Sequence, residues 1–330
     1  MVNHGVPARR FTISTTPPSL TSSTKPLWHV LGVGAMGCLW AARLHQWSAK
    51  AVLMMRDSRQ VETYSALGGL SIENEGSVTT LPVPATSPQS CTSITHLLVA
   101  TKAQDVEVAL AGVKHLLTSD ARIVLLQNGL KVQRIVSAAF GPERVWCLST
   151  SAGAWLRAPF HVVAAGQGET WLGQLDYDSA EQGMLQSLPG DAMGIRYDPA
   201  IENRLWRKLA ANCAINALTA LYNCRNGELL SLPGAYRELI SLCAEIGAIV
   251  HALPGAPSMP DIEELVKTIL KATADNYSST LQDIRKGRST EIDHLNGYLC
   301  ELAQKHGLDC SVNQQILTRF KRLCESKGID

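Results

Sequence analysis

Lys208, Asn212 and Asn216 stand four residues apart within Ile201 to Leu218, a stretch whose spacing predicts a helix. At that spacing each side chain lies about 40° round from the last, so one ammonium and two amides form a single polar stripe. Its neighbours Leu209, Ala211, Cys213, Ala214, Ile215 and Ala217 are apolar. Asn is a poor helix former, and a buried amide without partners costs roughly 1–3 kcal/mol. The stripe must therefore meet a ligand or a polar network on a partner helix. A second helical stretch is expected from Asp275 to Asp283, where Asn276 and Ser279, three apart, share a face. Past the loop at Gly287, Glu291 and Asp293 can meet a cation across a cleft; as carboxylates at a helix start they equally satisfy the helix dipole.

The run Gly32-Val33-Gly34-Ala35-Met36-Gly37 follows a short apolar strand and opens an Ala-rich helix, the context of a dinucleotide fingerprint. Gly32 allows the tight turn, Gly34 lets a pyrophosphate approach bare backbone, and Gly37 lets helix and strand pack closely. Where an NAD site usually places an acid, at the end of the second strand, this chain has Arg56. Its planar fork suits a 2′-phosphate and argues for NADP(H). Asp57 next to it reverses that preference if its carboxylate faces the ribose, and Arg56 as a solvated surface charge is the plain alternative. Lys102 and Gln127-Asn128-Gly129 end later strands and so face the same crevice. As a surface lysine and a turn pair they need no ligand.

These groups need elements to hold them. Apolar runs at 28–33, 51–55, 96–101 and 122–127 alternate with helical periodicity near 35–47, 103–117 and 130–139, the βαβ rhythm of a parallel sheet. Residues 145–150, 160–165 and 170–175 read as an irregular β-rich stretch, and those from about 200 onward as almost entirely helical. The fold class is α/β. A Rossmann-type dinucleotide-binding domain is expected over 27–197 and an all-helical domain over 198–330, with the turn-prone Leu188-Pro189-Gly190-Asp191 near the boundary. Residues 1–26, rich in Ser, Thr and Pro, are expected to be a disordered tail. Their acid-poor composition loosely resembles a transit peptide, without the amphipathic arginine-bearing helix of one or the apolar core of a signal peptide.

The chain has 330 residues, 45 % of them apolar, with 30 Lys plus Arg against 29 Asp plus Glu. That balance creates no global field for nucleic acid or an anionic membrane. The longest apolar stretches, Leu209 to Leu221 and Leu239 to Leu253, stop short of the roughly 20 residues that span a bilayer. Nine scattered cysteines with no C-x-x-C pair argue against a disulfide framework or a zinc site, and for reduced thiols in a cytoplasmic protein. The absence of H-E-x-x-H, G-x-S-x-G and the P-loop sets aside metalloprotease, serine hydrolase and P-loop chemistry.

Together these stretches resemble the ketopantoate reductase family over residues 28 to 325. The strings that carry the resemblance are Leu205-Trp206-Arg207-Lys208-Leu209-Ala210-Ala211-Asn212-Cys213-Ala214-Ile215-Asn216, Asn223-Cys224-Arg225-Asn226-Gly227-Glu228-Leu229, and Ser278-Ser279-Thr280-Leu281-Gln282-Asp283-Ile284-Arg285 with Thr290-Glu291-Ile292-Asp293. The resemblance implies a Rossmann domain that holds NADPH and a helical domain, of the 6-phosphogluconate dehydrogenase C-terminal-like type, that closes over ketopantoate. It implies that Lys208 is the catalytic lysine and that Asn128, Asn212, Asn216, Asn226 and Ser279 bind substrate; Asn276, expected on the face of Ser279, joins them. Gly32 to Gly37, Arg56, Lys102, Asn128, Ala154 and Glu291 fall on positions that contact cofactor or complete the active site. The segment Ser149 to Leu156 departs most from the family pattern. In the implied reaction hydride reaches the keto carbon, Lys208 protonates the developing alkoxide, Glu291 keeps the lysine charged and oriented, and the asparagines position the substrate. The expected partner is a small molecule, with monomer and homodimer both open. A reductase of another branched 2-keto acid and a non-catalytic NADP(H)-binding sensor are the rival readings.

Overall fold

The computed structural model describes residues 25–175, 184, 187–188 and 193–329. Residues 1–24 of the expected tail, and Pro189-Gly190-Asp191 of the expected boundary turn, lie outside the described residues.

From Leu27 the chain runs β1 (Leu27–Leu31), α1 (Ala35–Gln46), β2 (Lys50–Met54), α2 (Ser58–Ala66), β3 (Leu70–Asn74), β4 (Ser77–Leu81), β5 (Ala85–Thr86) and β6 (Ile94–Val99). It continues with α3 (Val106–Val113), β7 (Leu117–Leu125), α4 (Lys131–Phe140), β8 (Val145–Thr150), β9 (Ala154–Ala158), β10 (His161–Ala164), β11 (Thr170–Gly173) and β12 (Ile195–Tyr197). The larger sheet has the order β12-β11-β8-β7-β6-β1-β2-β5. From β8 to β5 every pairing is parallel, Val30 lying opposite both Leu53 and Leu98, while β11 runs antiparallel to β8. Val30, Leu53 and Leu97 are fully buried, as central parallel strands covered on both faces require. The order of connection reverses between β1 and β6, which opens a crevice at the carboxyl ends of those two strands.

Two expectations for this part need correction. The segment 103–117 is not one helix: 3-10 turns at Ala103–Asp105 and Lys114–Leu116 flank α3. A second sheet, ordered β4-β3-β10-β9, was not anticipated between 70 and 81. Its hairpin turns at Glu75 and Gly76, both with positive φ, as a type I′ turn requires. Most of β4 is exposed and polar, and β3 pairs with β10, a partner far along the chain, so local spacing carries little of its signal. Leu70, Ile72 and Val162 of this sheet pack with Leu39 and Trp40 of α1 in one core.

The remaining helices are α5 (Ile201–Leu221), α6 (Pro233–Ala252), α7 (Ile262–Ala272), α8 (Ser279–Arg285), α9 (Asn296–Lys305) and α10 (Ser311–Ser326). Helix α5 is the axis, packed by α6, α7, α8 and α10, and Cys213, Ala214, Ala217 and Leu218 are fully buried around it. The helix expected from Asp275 is shorter. It begins at Ser279, because Ser278 takes the N-cap position and its hydroxyl accepts from the Leu281 N–H. Asn276 therefore lies in the preceding turn and shares no helical face with Ser279. Leu130, Cys147 and Leu175 belong to the same apolar cluster as α5, so the sheet and the helices are joined by shared core. Among the described residues no helix is long and apolar enough to cross a membrane.

Candidate active site

The glycine run forms the turn from β1 into α1. Gly32 has φ +104°, and a Cβ there would come within 2.7 Å of the Thr101 nitrogen. A Cβ on Gly37 would lie 1.8 Å from the Gly32 carbonyl oxygen, so helix and strand meet without room for a side chain. Gly34 is the opposite case: it is exposed, and a Cβ would meet nothing within 4 Å. The first turn of α1 has no side-chain cap and no acidic residue, so no side chain takes up its free N–H groups, and Gly34, Ala35 and Met36 line an open cleft. That cradle fits an anionic diphosphate.

Arg56 follows β2 and is exposed, and its guanidinium pairs with no acid among the described residues. Asp57 is otherwise engaged: its carboxylate accepts from the Gln60 N–H at 2.9 Å as the N-cap of α2. Helix capping thus accounts for the carboxylate and leaves the cation to face solvent or ligand.

The two halves meet through side chains that reach from each to the other. Lys102 Nζ donates to the Ser289 carbonyl at 2.6 Å and pairs with Asp283 at 2.8 Å. Glu291 reaches the opposite way, one oxygen accepting from the Ala103 N–H at 2.9 Å and the other from Asn128 Nδ2 at 3.2 Å. Asn128-Gly129 is more than a turn pair: Gly129 has φ +90°, and a Cβ there would stand 2.8 Å from the His294 carbonyl oxygen. Gln127 ties the ends of β6 and β7 together, its amide donating to the carbonyls of Val99 and Thr101.

Lys208 sits at the same seam. Its ammonium donates to the Thr150 carbonyl, at the end of β8, at 2.8 Å. Burial pushes its pKa down to about 8, against the opposing charge of Glu291. One turn and two turns further on, Asn212 is half-buried and Asn216 is 5 % exposed. Neither side-chain amide hydrogen-bonds another described residue, so the inter-helical polar network does not satisfy them. Asn226 is different: its amide nitrogen donates to Thr273 Oγ1 and its backbone N–H to the Asn276 carbonyl, which makes both residues part of a turn-holding arrangement.

A cleft of about 250 Å³ gathers Gly34, Ala35, Met36, Lys102, Asn128, Ala154, Ser279 and Glu291 on one wall system. Lys208, Asn212, Asn216, Asn226, Asn276 and Arg56 are not among its lining residues. Trp155, Leu156, Gln282, Asp283, Lys286 and Arg288 line it and were not singled out in the sequence. Trp155 and Leu156 come from β9, the strand whose sheet went unanticipated; Asp283 was legible only as part of the Ser278 to Arg285 string. The Thr150 carbonyl had no signal, since a backbone acceptor is independent of residue type.

Glu291→Ala removes both of its contacts across the seam. Hydrogen exchange at the Ala103 amide should then accelerate markedly while exchange in β1 and β6 stays unchanged; equal Ala103 protection in wild type and variant would show that the carboxylate does not hold the halves together.

Residues 28–177 match the family described as ketopantoate reductase PanE/ApbA, and residues 200–323 match ketopantoate reductase PanE/ApbA C terminal. A 2-dehydropantoate 2-reductase from Escherichia coli O157:H7 is 30 % identical over 294 residues, covering 89 % of this chain and 93 % of that protein. One from Archaeoglobus fulgidus is 33 % identical over 292 residues, covering 87 % and 94 % respectively. A solved PanE/ApbA family ketopantoate reductase from Ralstonia eutropha is similar with a TM-score of 0.82 at 24 % identity, over 92 % of this chain and 99 % of that one. A D-mandelate dehydrogenase in complex with NADH and anilino(oxo)acetate is similar at 0.84 with 20 % identity, over 92 % and 100 %. These two structural likenesses bear on the fold. With both parts of the family pattern matched in order and curated relatives aligned over nearly nine-tenths of its length, the chain belongs to the ketopantoate reductase family.

Proposed function

We propose that this protein reduces 2-dehydropantoate (ketopantoate) to pantoate with NADPH, in pantothenate and coenzyme A synthesis, and that Lys208 is the general acid. The observation that carries the reading is the 2.8 Å bond from Lys208 Nζ to the Thr150 carbonyl, which fixes an ammonium of the helical half against the end of a sheet strand. The cofactor, when bound, supplies the hydride. Gly32, Val33, Gly34, Ala35, Met36 and Gly37 would hold its diphosphate on bare backbone and helix N–H groups, Arg56 would meet a 2′-phosphate, and Lys102, Asn128, Ala154 and Glu291 would contact the rest of the cofactor.

An ammonium has three N–H donors. With one held by Thr150, two remain for the substrate ketone, whose oxygen gains negative charge as hydride reaches the adjacent carbon. Lys208 first donates a hydrogen bond to that oxygen and then the proton. Burial helps, because an acid whose pKa is lowered toward the working pH releases its proton more readily. Glu291 keeps the lysine charged before the transfer, and Asn212, Asn216 and Ser279 bind the carboxylate and hydroxyl of the substrate without changing charge. Asn226 retains an acceptor oxygen for the same purpose, and Asn276 acts by holding Asn226 in place. Orientation of this kind supplies several kcal/mol of barrier reduction.

Lys208→Ala is expected to leave NADPH affinity nearly intact and to cut turnover by orders of magnitude, followed as absorbance loss at the reduced nicotinamide band after ketopantoate is added; undiminished turnover removes the proposed acid. A panel of branched 2-keto acids in the same assay reads the substrate preference.

The acid must be protonated, so kcat/KM should be level below a pH of about 8 and decline tenfold per unit above it as the proton is lost. Glu291 raises the Lys208 pKa, so in Glu291→Gln the break should move to lower pH. A wild-type profile rising through that range contradicts the assignment.

Arg56→Ala should weaken NADPH binding much more than NADH binding, measured by titration of each cofactor. An equal loss for both shows that no 2′-phosphate contact exists.

A further inference from the structure

The fold brings together two thiols that sequence spacing left apart. Cys300 on α9 and Cys310, which caps α10, are ten residues apart, and the intervening turn sets them face to face, Cys310 Sγ donating to Cys300 Sγ at 3.0 Å. The turn is held by the Leu308 N–H on the Ala303 carbonyl and by the positive φ of Gly307. Cys300 is half-buried and reachable, whereas Cys310 is 4 % exposed. The hydrogen bond from Cys310 holds the Cys300 thiol below the usual thiol range, and the same contact together with burial pushes Cys310 up. Such asymmetry separates an attacking sulfur from a resolving one.

We propose that Cys300 and Cys310 form a reversible dithiol–disulfide modification site that hydroperoxides oxidise and small thiols restore. Cys300 Sγ attacks hydrogen peroxide, the O–O bond breaks, and the sulfur becomes a sulfenic acid while the second oxygen leaves as water with the thiol proton. Cys310 Sγ then displaces the sulfenic hydroxyl, which departs as a second water with the Cys310 proton as the S–S bond forms. Two thiols are oxidised by two electrons, and one peroxide is reduced to two waters. Closing the pair shortens the present 3.0 Å separation to roughly 2 Å, about half an ångström of movement for each sulfur. A thiol such as glutathione reverses the bond through a mixed disulfide. Neither thiol lines the cleft described above, and the test needs no turnover.

The full-length protein is treated with hydrogen peroxide, blocked with iodoacetamide and digested with trypsin without reductant. Cleavage after Lys305 separates the two thiols, so the bond is read as a link between peptides 289–305 and 306–319, released by dithiothreitol. That linked pair should dominate over all other cysteine products, and dimedone added during oxidation should capture a sulfenic acid on Cys300 before the link accumulates. Cys310→Ser should retain the dimedone adduct and lose the link; where this variant does not fold, the wild-type time course alone decides. Cys300 recovered fully alkylated after peroxide, or linked chiefly to another cysteine, overturns the proposal.

Discussion

A carboxylate leaves bulk water at a cost that only charge-assisted hydrogen bonds offset. Glu291 meets that condition on the far side of the seam, at the Ala103 N–H and the Asn128 amide. Much of the site's geometry depends on this arrangement. It draws the start of the 3-10 turn at Ile292–His294 onto the ends of β6 and β7, and Lys102 reaches back to Ser289 and Asp283 beside it. The two directions of reach make the closure mutual: each half carries a charged side chain whose partners belong to the other.

The Lys208 ammonium lives inside this closure. Burial disfavours its charge and Glu291 favours it, and burial is the larger effect. The lysine's pKa is therefore held down to about 8, as the proposed acid role requires. Apolar burial along the rest of α5 makes the stripe tolerable. Cys213, Ala214, Ala217 and Leu218 are fully buried, so the helix is held by its neighbours and does not depend on the weak helix propensity of Asn212 and Asn216.

Legibility in the sequence varied with the range of the interaction. The parallel strands, α1 and the glycine turn announce themselves through local spacing, because a buried parallel strand is a continuous apolar run and a tight turn demands glycine. The second sheet did not, since β3 finds β10 only after the chain has passed through most of the first sheet. With that sheet went Trp155 and Leu156. Asn276 and Ser279 were misread as one helical face because the helix starts only after Asn276, at the cap set by Ser278, whose hydroxyl also accepts from Thr219. At Arg56 and Asp57 the sequence presented two opposite charges, and a cap on α2 decided which one stays free.

What the residues alone determined is the chemistry on offer: an anion-accepting glycine turn, an amine and two amides on one helical stripe, and a family pattern spread along the chain. These follow from periodicity and residue type, which act over a few residues. Tertiary structure decided the pairing of groups from distant segments: which carbonyl receives Lys208, which N–H groups receive Glu291, and which cysteines meet. Such contacts arise only when separate elements pack, and backbone donors and acceptors, being common to every residue, leave no trace in the amino-acid order.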